Sequence, residues 1–202
     1  MKKKIVIVDY GMGNLRSVEK AFEKAGARVA VSAKPSEIRD ADKLVVPGVG
    51  AFGHAMRELK KRGLIGPIRE KIESGAPYLG LCLGLQLLFS SSEEGSEKGL
   101  GILRGSVRKF KGSMKVPHMG WNSLKFSEKN CPIFKGVGPR DYFYFVHSFY
   151  AVPEKKTDVV ATTSYGKPFC SAVWKDNIFA TQFHPEKSQM VGARVIRNFV
   201  KL

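Results

Sequence analysis

Tyr78-Leu79-Gly80-Leu81-Cys82-Leu83-Gly84-Leu85-Gln86-Leu87-Leu88-Phe89 is the stretch on which the fold turns. Twelve residues interrupted by Gln86 are too few and too polar to span a membrane. The stretch reads instead as two elements back to back, a strand over residues 78–81 and an apolar helix over residues 83–89. Working toward the N-terminus, the same alternation recurs. A β-branched strand covers residues 4–8, and a helix over residues 14–25 follows, with Leu15, Val18, Phe22 and Ala25 at helical spacing before Gly26 ends it. Strands at residues 28–31 and 43–46 come next. The second is broken by Pro47-Gly48, after which Phe52, Ala55, Met56 and Leu59 mark a helix over residues 51–61.

Strands alternating with helices predict parallel βαβ units and an α/β fold, a doubly wound, mostly parallel sheet flanked by helices. Working toward the C-terminus, the polar loop 90–98 opens a different regime. Strand-like segments at residues 106–110, 142–146, 159–163, 169–174 and 177–182, paired around turns such as Asp176-Asn177, predict an antiparallel β extension on the edge of the parallel core. A helix over residues 189–200 closes the chain. With no linker or repeat, residues 1–202 are expected to form one domain.

Apolar residues make up 43% of the chain and charged ones 26%, which excludes disordered and collagen-like classes. Cys82, Cys131 and Cys170 have no Cys-x-x-Cys spacing, which argues against a disulfide framework or a four-cysteine metal site and for a reducing cytoplasm. The opening Lys-rich segment imitates a signal peptide, but its apolar run stops at Asp9. The 34 basic and 18 acidic side chains leave a net charge of +16. Nine of the basic ones (Arg104, Arg108, Lys109, Lys111, Lys115, Lys125, Lys129, Lys135, Arg140) crowd residues 101–140 against Glu128 alone. No nucleic-acid-binding motif accompanies that charge, so a protein partner or a solvated face is expected rather than nucleic acid.

Gly80-Leu81-Cys82-Leu83-Gly84 has the shape of a nucleophile elbow, in which small residues two places either side allow a tight turn that presents the central side chain. A helix beginning there favours the thiolate, the attacking form. Cys131 and Cys170 lack such a setting and read as buried thiols. Among His54, His118, His147 and His184, the last stands out in Gln182-Phe183-His184-Pro185-Glu186. In extended chain, residues i and i+2 share a side, so Glu186 can orient the imidazole as the acid of a triad does. Pro185 keeps the segment extended. No histidines are paired at metal-ligand spacing. Pro47-Gly48-Val49-Gly50, after a parallel strand, offers main-chain N–H groups beside that of Leu83, an oxyanion hole or a plain turn. Gly11-x-Gly13 lacks the third glycine of a dinucleotide fingerprint, so no such cofactor is expected.

Together these pieces resemble the class I (triad) glutamine amidotransferases, and within them the glutaminase subunits of imidazole glycerol phosphate synthase. The likeness is carried by Asp9-Tyr10-Gly11-Met12-Gly13-Asn14, Pro47-Gly48-Val49-Gly50-Ala51-Phe52-Gly53, the elbow through Gln86, Pro117-His118-Met119-Gly120-Trp121-Asn122, Phe145-Val146-His147-Ser148 and the segment 182–187. The resemblance implies a flavodoxin-like fold, Cys82, His184 and Glu186 as nucleophile, base and orienting acid, and Gly50 and Leu83 as oxyanion donors. It implies that Gln86 and the backbone near Ser148 and Phe149 hold glutamine. Phe149 stands where relatives often carry tyrosine. It further implies a docking face at Asn14, Met119, Trp121, Tyr142 and Lys187 for a (β/α)8 barrel cyclase, in a cytoplasmic heterodimer of histidine biosynthesis that uses neither metal nor cofactor. For Trp121 a place in the core remains the alternative. A free-standing cysteine hydrolase and a non-catalytic binding module are the rival functions.

Overall fold

A computed structural model describes residues 3–202. Along the chain run β1 (Lys4–Val8), α1 (Leu15–Lys24), β2 (Arg28–Ser32), α2 (Pro35–Arg39), β3 (Lys43–Val46), α3 (Phe52–Lys61), α4 (Ile65–Glu73), β4 (Tyr78–Leu81), α5 (Leu83–Gln86) and the short β5 (Ser91–Ser92). After them come β6 (Gly105–Lys109), β7 (His118–Ser123), the short β8 (Lys125–Phe126), β9 (Tyr142–His147), β10 (Phe149–Pro153), β11 (Val159–Tyr165), β12 (Lys167–Lys175), β13 (Ile178–Thr181) and α6 (Gln189–Lys201).

The sheet core follows the order β2-β1-β3-β4-β13, all parallel. It continues antiparallel through β12, β10 and β6. This is the flavodoxin-like order, whose switch point between β1 and β3 opens a crevice at the carboxyl ends of the strands. Alternation along β1 sorts the core into two layers. Ile5 and Ile7 pack with Val18 and Phe22 of α1 and with Val195, Ile196 and Phe199 of α6. Val6 and Val8 face Phe52, Ala55 and Leu59 of α3 and Ile68 and Ile72 of α4. Helices therefore cover both faces, as the alternating pattern predicts. The Lys43 ammonium, fully buried, donates to the carbonyls of Phe199 (2.8 Å) and Val200 (2.7 Å) and so caps the end of α6.

The structure differs from the sequence expectation at particular elements. The helix expected over residues 83–89 ends at Gln86, a stop unmarked in the sequence because Leu87-Leu88-Phe89 after it carry no glycine, proline or polar signal. α2, α4, β7 and β10 were not anticipated. The polar loop 90–98 contains β5 and supplies Glu94, whose carboxylate accepts the Phe52 N–H at 2.7 Å where Ala51, the N-cap of α3, gives no side-chain cap. β7 and β9 form a separate antiparallel pair. No helix among the described residues is long and apolar enough to cross a membrane.

Candidate active site

The elbow needs its glycines for space. A Cβ at Gly84 would lie 1.8 Å from the Val46 carbonyl oxygen, and one at Gly80 would lie 2.6 Å from the Gly84 oxygen. Between them Cys82 is forced to φ 51° and ψ −99°, a strained conformation of the kind that costs about 1–3 kcal/mol and persists only where the surroundings dictate it. They do so here. The Cys82 N–H donates to Thr181 O at 2.7 Å, extending the β4–β13 ladder, and its carbonyl accepts Leu85 N–H at 3.1 Å. Tyr78 Oη latches the turn by donating to Gly84 O at 2.9 Å. The thiol is buried, with Sγ 4.0 Å from Val146 O.

Parallel pairing of β4 with β13 brings Thr181 beside Leu81, so the chain leaves both strands at one end of the sheet. His184 lies there, buried, with Nδ1 2.8 Å from Glu186 Oε1. The His184 N–H donates to Tyr144 O at 2.9 Å, and Ser188 Oγ donates to His184 O at 2.6 Å, which fixes the backbone that carries the ring. Nε2 and Glu186 Oε2 make no hydrogen bond. Burial alone would discharge the imidazole, but the negative charge of Cys82, followed by that of Glu186, outweighs it and raises the group to about 10.

Of the expected oxyanion donors, Leu83 N–H points at the loop 47–50 and donates to Gly48 O over a long 3.4 Å. Gly50 is exposed at φ 95°. Tyr10 Oη ties the loop down by donating to Pro47 O at 2.7 Å. Gln86 is buried and spends its amide N–H groups on Phe149 O (3.0 Å) and Gln182 Oε1 (3.1 Å). Ser148 lies between, its carbonyl accepting Phe110 N–H at 3.1 Å.

A family model for class-I glutamine amidotransferases matches residues 6–202. The chain belongs to the class-I glutamine amidotransferase family. Within that family it falls among the glutaminase subunits of imidazole glycerol phosphate synthase. The imidazole glycerol phosphate synthase subunit HisH of Syntrophotalea carbinolica is 54% identical, over 96% of this chain and 98% of the relative. The subunit of the same name from Geobacter metallireducens is 51% identical over 96% of each. PurLQS from Thermotoga maritima superposes with a TM-score of 0.77 across 100% of this chain and 99% of that one, at 18% identity, a likeness of fold.

Seen as an amidotransferase, the molecule keeps its remaining sequence-predicted residues near this end of the sheet. Asn14 caps α1, its Oδ1 accepting Ser17 N–H at 3.3 Å, in the loop after β1. Met119 (62% exposed), Trp121 (46%) and Tyr142 (56%) stand on the β7–β9 pair, so Trp121 is not a core aromatic. Lys187 Nζ lies 6.0 Å over the Tyr144 ring. Cys131 and Cys170 are buried free thiols pushed up to about 12 by burial. Sequence reasoning passed over Gln182, whose Nε2 donates to Cys82 Sγ at 3.5 Å. Its signal was present: a polar side chain at an apolar strand end, two residues before His184 and therefore on the same side of extended chain.

Proposed function

We propose that the chain hydrolyses glutamine to glutamate and ammonia through a Cys82 thioester and passes the ammonia to a (β/α)8 barrel cyclase. The observation that carries this reading is the junction of β4 and β13: a strained, buried cysteine beside an imidazole whose other nitrogen is held by a carboxylate. The Cys82 thiolate attacks the side-chain carboxamide carbon, and the negative oxygen forms against main-chain donors. Leu83 N–H and the Gly50 region supply those donors once the Gly48 carbonyl turns away from Leu83. His184 gives its Nε2 proton to departing ammonia, then takes one from the water that hydrolyses the thioester, while Glu186 holds the ring. Gln86 and the backbone at Ser148 and Phe149 position the substrate.

Ammonia freed into water is mostly protonated and loses its nucleophilicity, so delivery needs a covered route. The exposed apolar side chains Met119, Trp121 and Tyr142, with Asn14 and Lys187, form the docking face for the cyclase. The assembled heterodimer makes imidazole glycerol phosphate and an aminoimidazole carboxamide ribotide for histidine biosynthesis, in the cytoplasm, and the glutaminase step requires no cofactor. Release of glutamate from glutamine, measured with and without the cyclase and its nucleotide ligand, tests the proposal. Wild type is expected to turn over strongly only when partnered and weakly alone, and Cys82→Ala not at all. Activity retained in Cys82→Ala removes the nucleophile, and strong turnover without a partner favours a free-standing hydrolase.

A further inference from the structure

Gln182, His147 and His118 are buried, polar and unused by the reaction as written, yet they join the nucleophile to β7 through one set of hydrogen bonds. Gln182 Nε2 donates to Cys82 Sγ (3.5 Å), and its Oε1 accepts from Gln86 Nε2 (3.1 Å). The other N–H of Gln86 donates to Phe149 O at 3.0 Å. That same carbonyl lies 2.7 Å from His147 Nδ1. His147 Nε2 is 3.0 Å from His118 Nδ1, and His118 Nε2 is 3.3 Å from Asn122 Nδ2.

The direction of every bond follows from one atom. A carbonyl oxygen only accepts, so His147 carries its proton on Nδ1. Both rings are neutral, because burial pushes His118 down to about 4 and His147 to about 3. His147 Nε2 is then a bare acceptor, His118 must donate from Nδ1, and Asn122 donates to His118 Nε2. On the other branch, Phe149 O draws one Gln86 N–H and leaves the second for Gln182 Oε1. The Gln182 amide therefore has a single orientation, with its N–H toward sulfur.

We propose that Gln182 is a positioning residue of the glutaminase reaction, its N–H aimed by Gln86 and by the His118–His147 pair so as to hold the Cys82 sulfur in its attacking form. This rests on the reading of Cys82 as nucleophile. A hydrogen bond to a charged acceptor is worth about a tenfold equilibrium factor or more. Gln182→Glu keeps the shape and the acceptor toward Gln86 but removes the donor; Gln182→Leu removes both.

The test is alkylation of Cys82 by iodoacetamide at pH 7 in the full chain, read by mass on the Cys82 peptide, with glutaminase kinetics in the complex alongside. Both variants are expected to alkylate about tenfold more slowly and to lose about tenfold in kcat with KM nearly unchanged. His147→Gln, which retains a donor toward Phe149 O, is expected to keep more activity than His147→Phe. Wild-type alkylation rates in Gln182→Leu with an unchanged melting temperature overturn the proposal. Where a variant does not fold, the wild-type chain decides: long-range 1H–15N correlations are expected to show Nδ1–H on both His118 and His147, and an Nε2–H on either overturns it. Loss of activity in Cys82→Ala beside unaltered Gln182 variants removes only the positioning role, whereas activity in Cys82→Ala removes the nucleophile itself.

Discussion

The end of the parallel core and the β7–β9 pair meet around Cys82, and they are built by opposite rules. At the β4–β13 end, apolar side chains fill the inside, and a main-chain bond within the core sets Cys82, its N–H on Thr181 O, while His184 N–H reaches across to Tyr144 O of β9. In β7 the pattern is inverted. His118 turns inward, stacked on Phe145 and Tyr165 at 5.0 and 4.1 Å, and half-buried Asn122 donates to Ser164 O at 3.0 Å, while Met119 and Trp121 are exposed. A strand that turns a polar side chain inward and apolar ones outward carries an apolar patch of the kind that marks interaction surfaces. The difference teaches that Cys82 is placed by a ladder that opens only with the core, whereas its surroundings hang on a sheet whose outer face is exposed and apolar.

The largest expected effect breaks the core side of that contrast. Glu186→Gln leaves the shape of the triad but removes the charge opposite His184 Nδ1, and glutaminase kcat in the complex is expected to fall about 10³-fold, roughly 4 kcal/mol of barrier. The pH profile sharpens the point. His184 is raised to about 10, so its proton is held through the range where a free imidazole loses it. The kcat/KM of wild type is therefore expected to stay level across pH 6.5 and to fall only as pH rises through about 10. In Glu186→Gln the alkaline limb should move to lower pH, because a group that stabilised the imidazolium is gone. An unmoved limb assigns the profile to another group.

The next effect breaks the sheet side. Trp121→Ala removes the large aromatic of the exposed face and is expected to weaken cyclase binding about thirtyfold, near 2 kcal/mol, measured by titration calorimetry. The melting temperature of the lone chain should hold, since the ring is half-exposed and stabilises little in the monomer.

What the sequence disclosed follows the same division. β1, β3 and β4 were legible to the residue because their side chains obey the inside-apolar rule. The pairing of His184 with Glu186 was read from extended chain, but Pro185–Lys187 form a 3-10 turn, with Pro185 in its first position, and it is this turn that brings Glu186 Oε1 to His184 Nδ1. β7 was not, since Met119 and Trp121 alternate with His118 and Asn122 in reverse sense, and Gly120 interrupts the run. α4 was hidden by Gly66 and Pro67 in its first turn, although Ile68 and Ile72 bury a helical face behind them. The bond from Leu83 N–H to Gly48 O could not be read at all, because the loop 47–50 carries no side chain that dictates which way its carbonyls turn.

That loop gives a smaller, few-fold effect. Tyr10 Oη donates to Pro47 O and holds the loop with Gly48 O against Leu83 N–H. Tyr10→Phe removes one buried tether worth about 1 kcal/mol. The glutaminase activity of the lone chain is expected to rise up to about fivefold, with partnered activity little changed. A fall in lone-chain activity instead means that the tether supports the working conformation.

The smallest effect concerns how the two sides come together. All nine basic side chains between residues 101 and 140 are exposed, and Lys111 pairs with Glu93 at 3.2 Å. A surface of one sign speeds encounter with an acidic partner by a long-range attraction that salt screens over about 10 Å at 0.1 M. Raising salt from about 50 to 500 mM, a range that shortens the screening length severalfold, is expected to slow cyclase association about two- to threefold while leaving dissociation nearly unchanged. Stopped-flow tryptophan fluorescence, with Trp174 replaced by Phe so that Trp121 is this chain's reporter, separates the two rates. Charge acts on the approach, and Trp121 on the contact. An association rate indifferent to salt assigns the basic segment to solvent and leaves the apolar face to find its partner unaided.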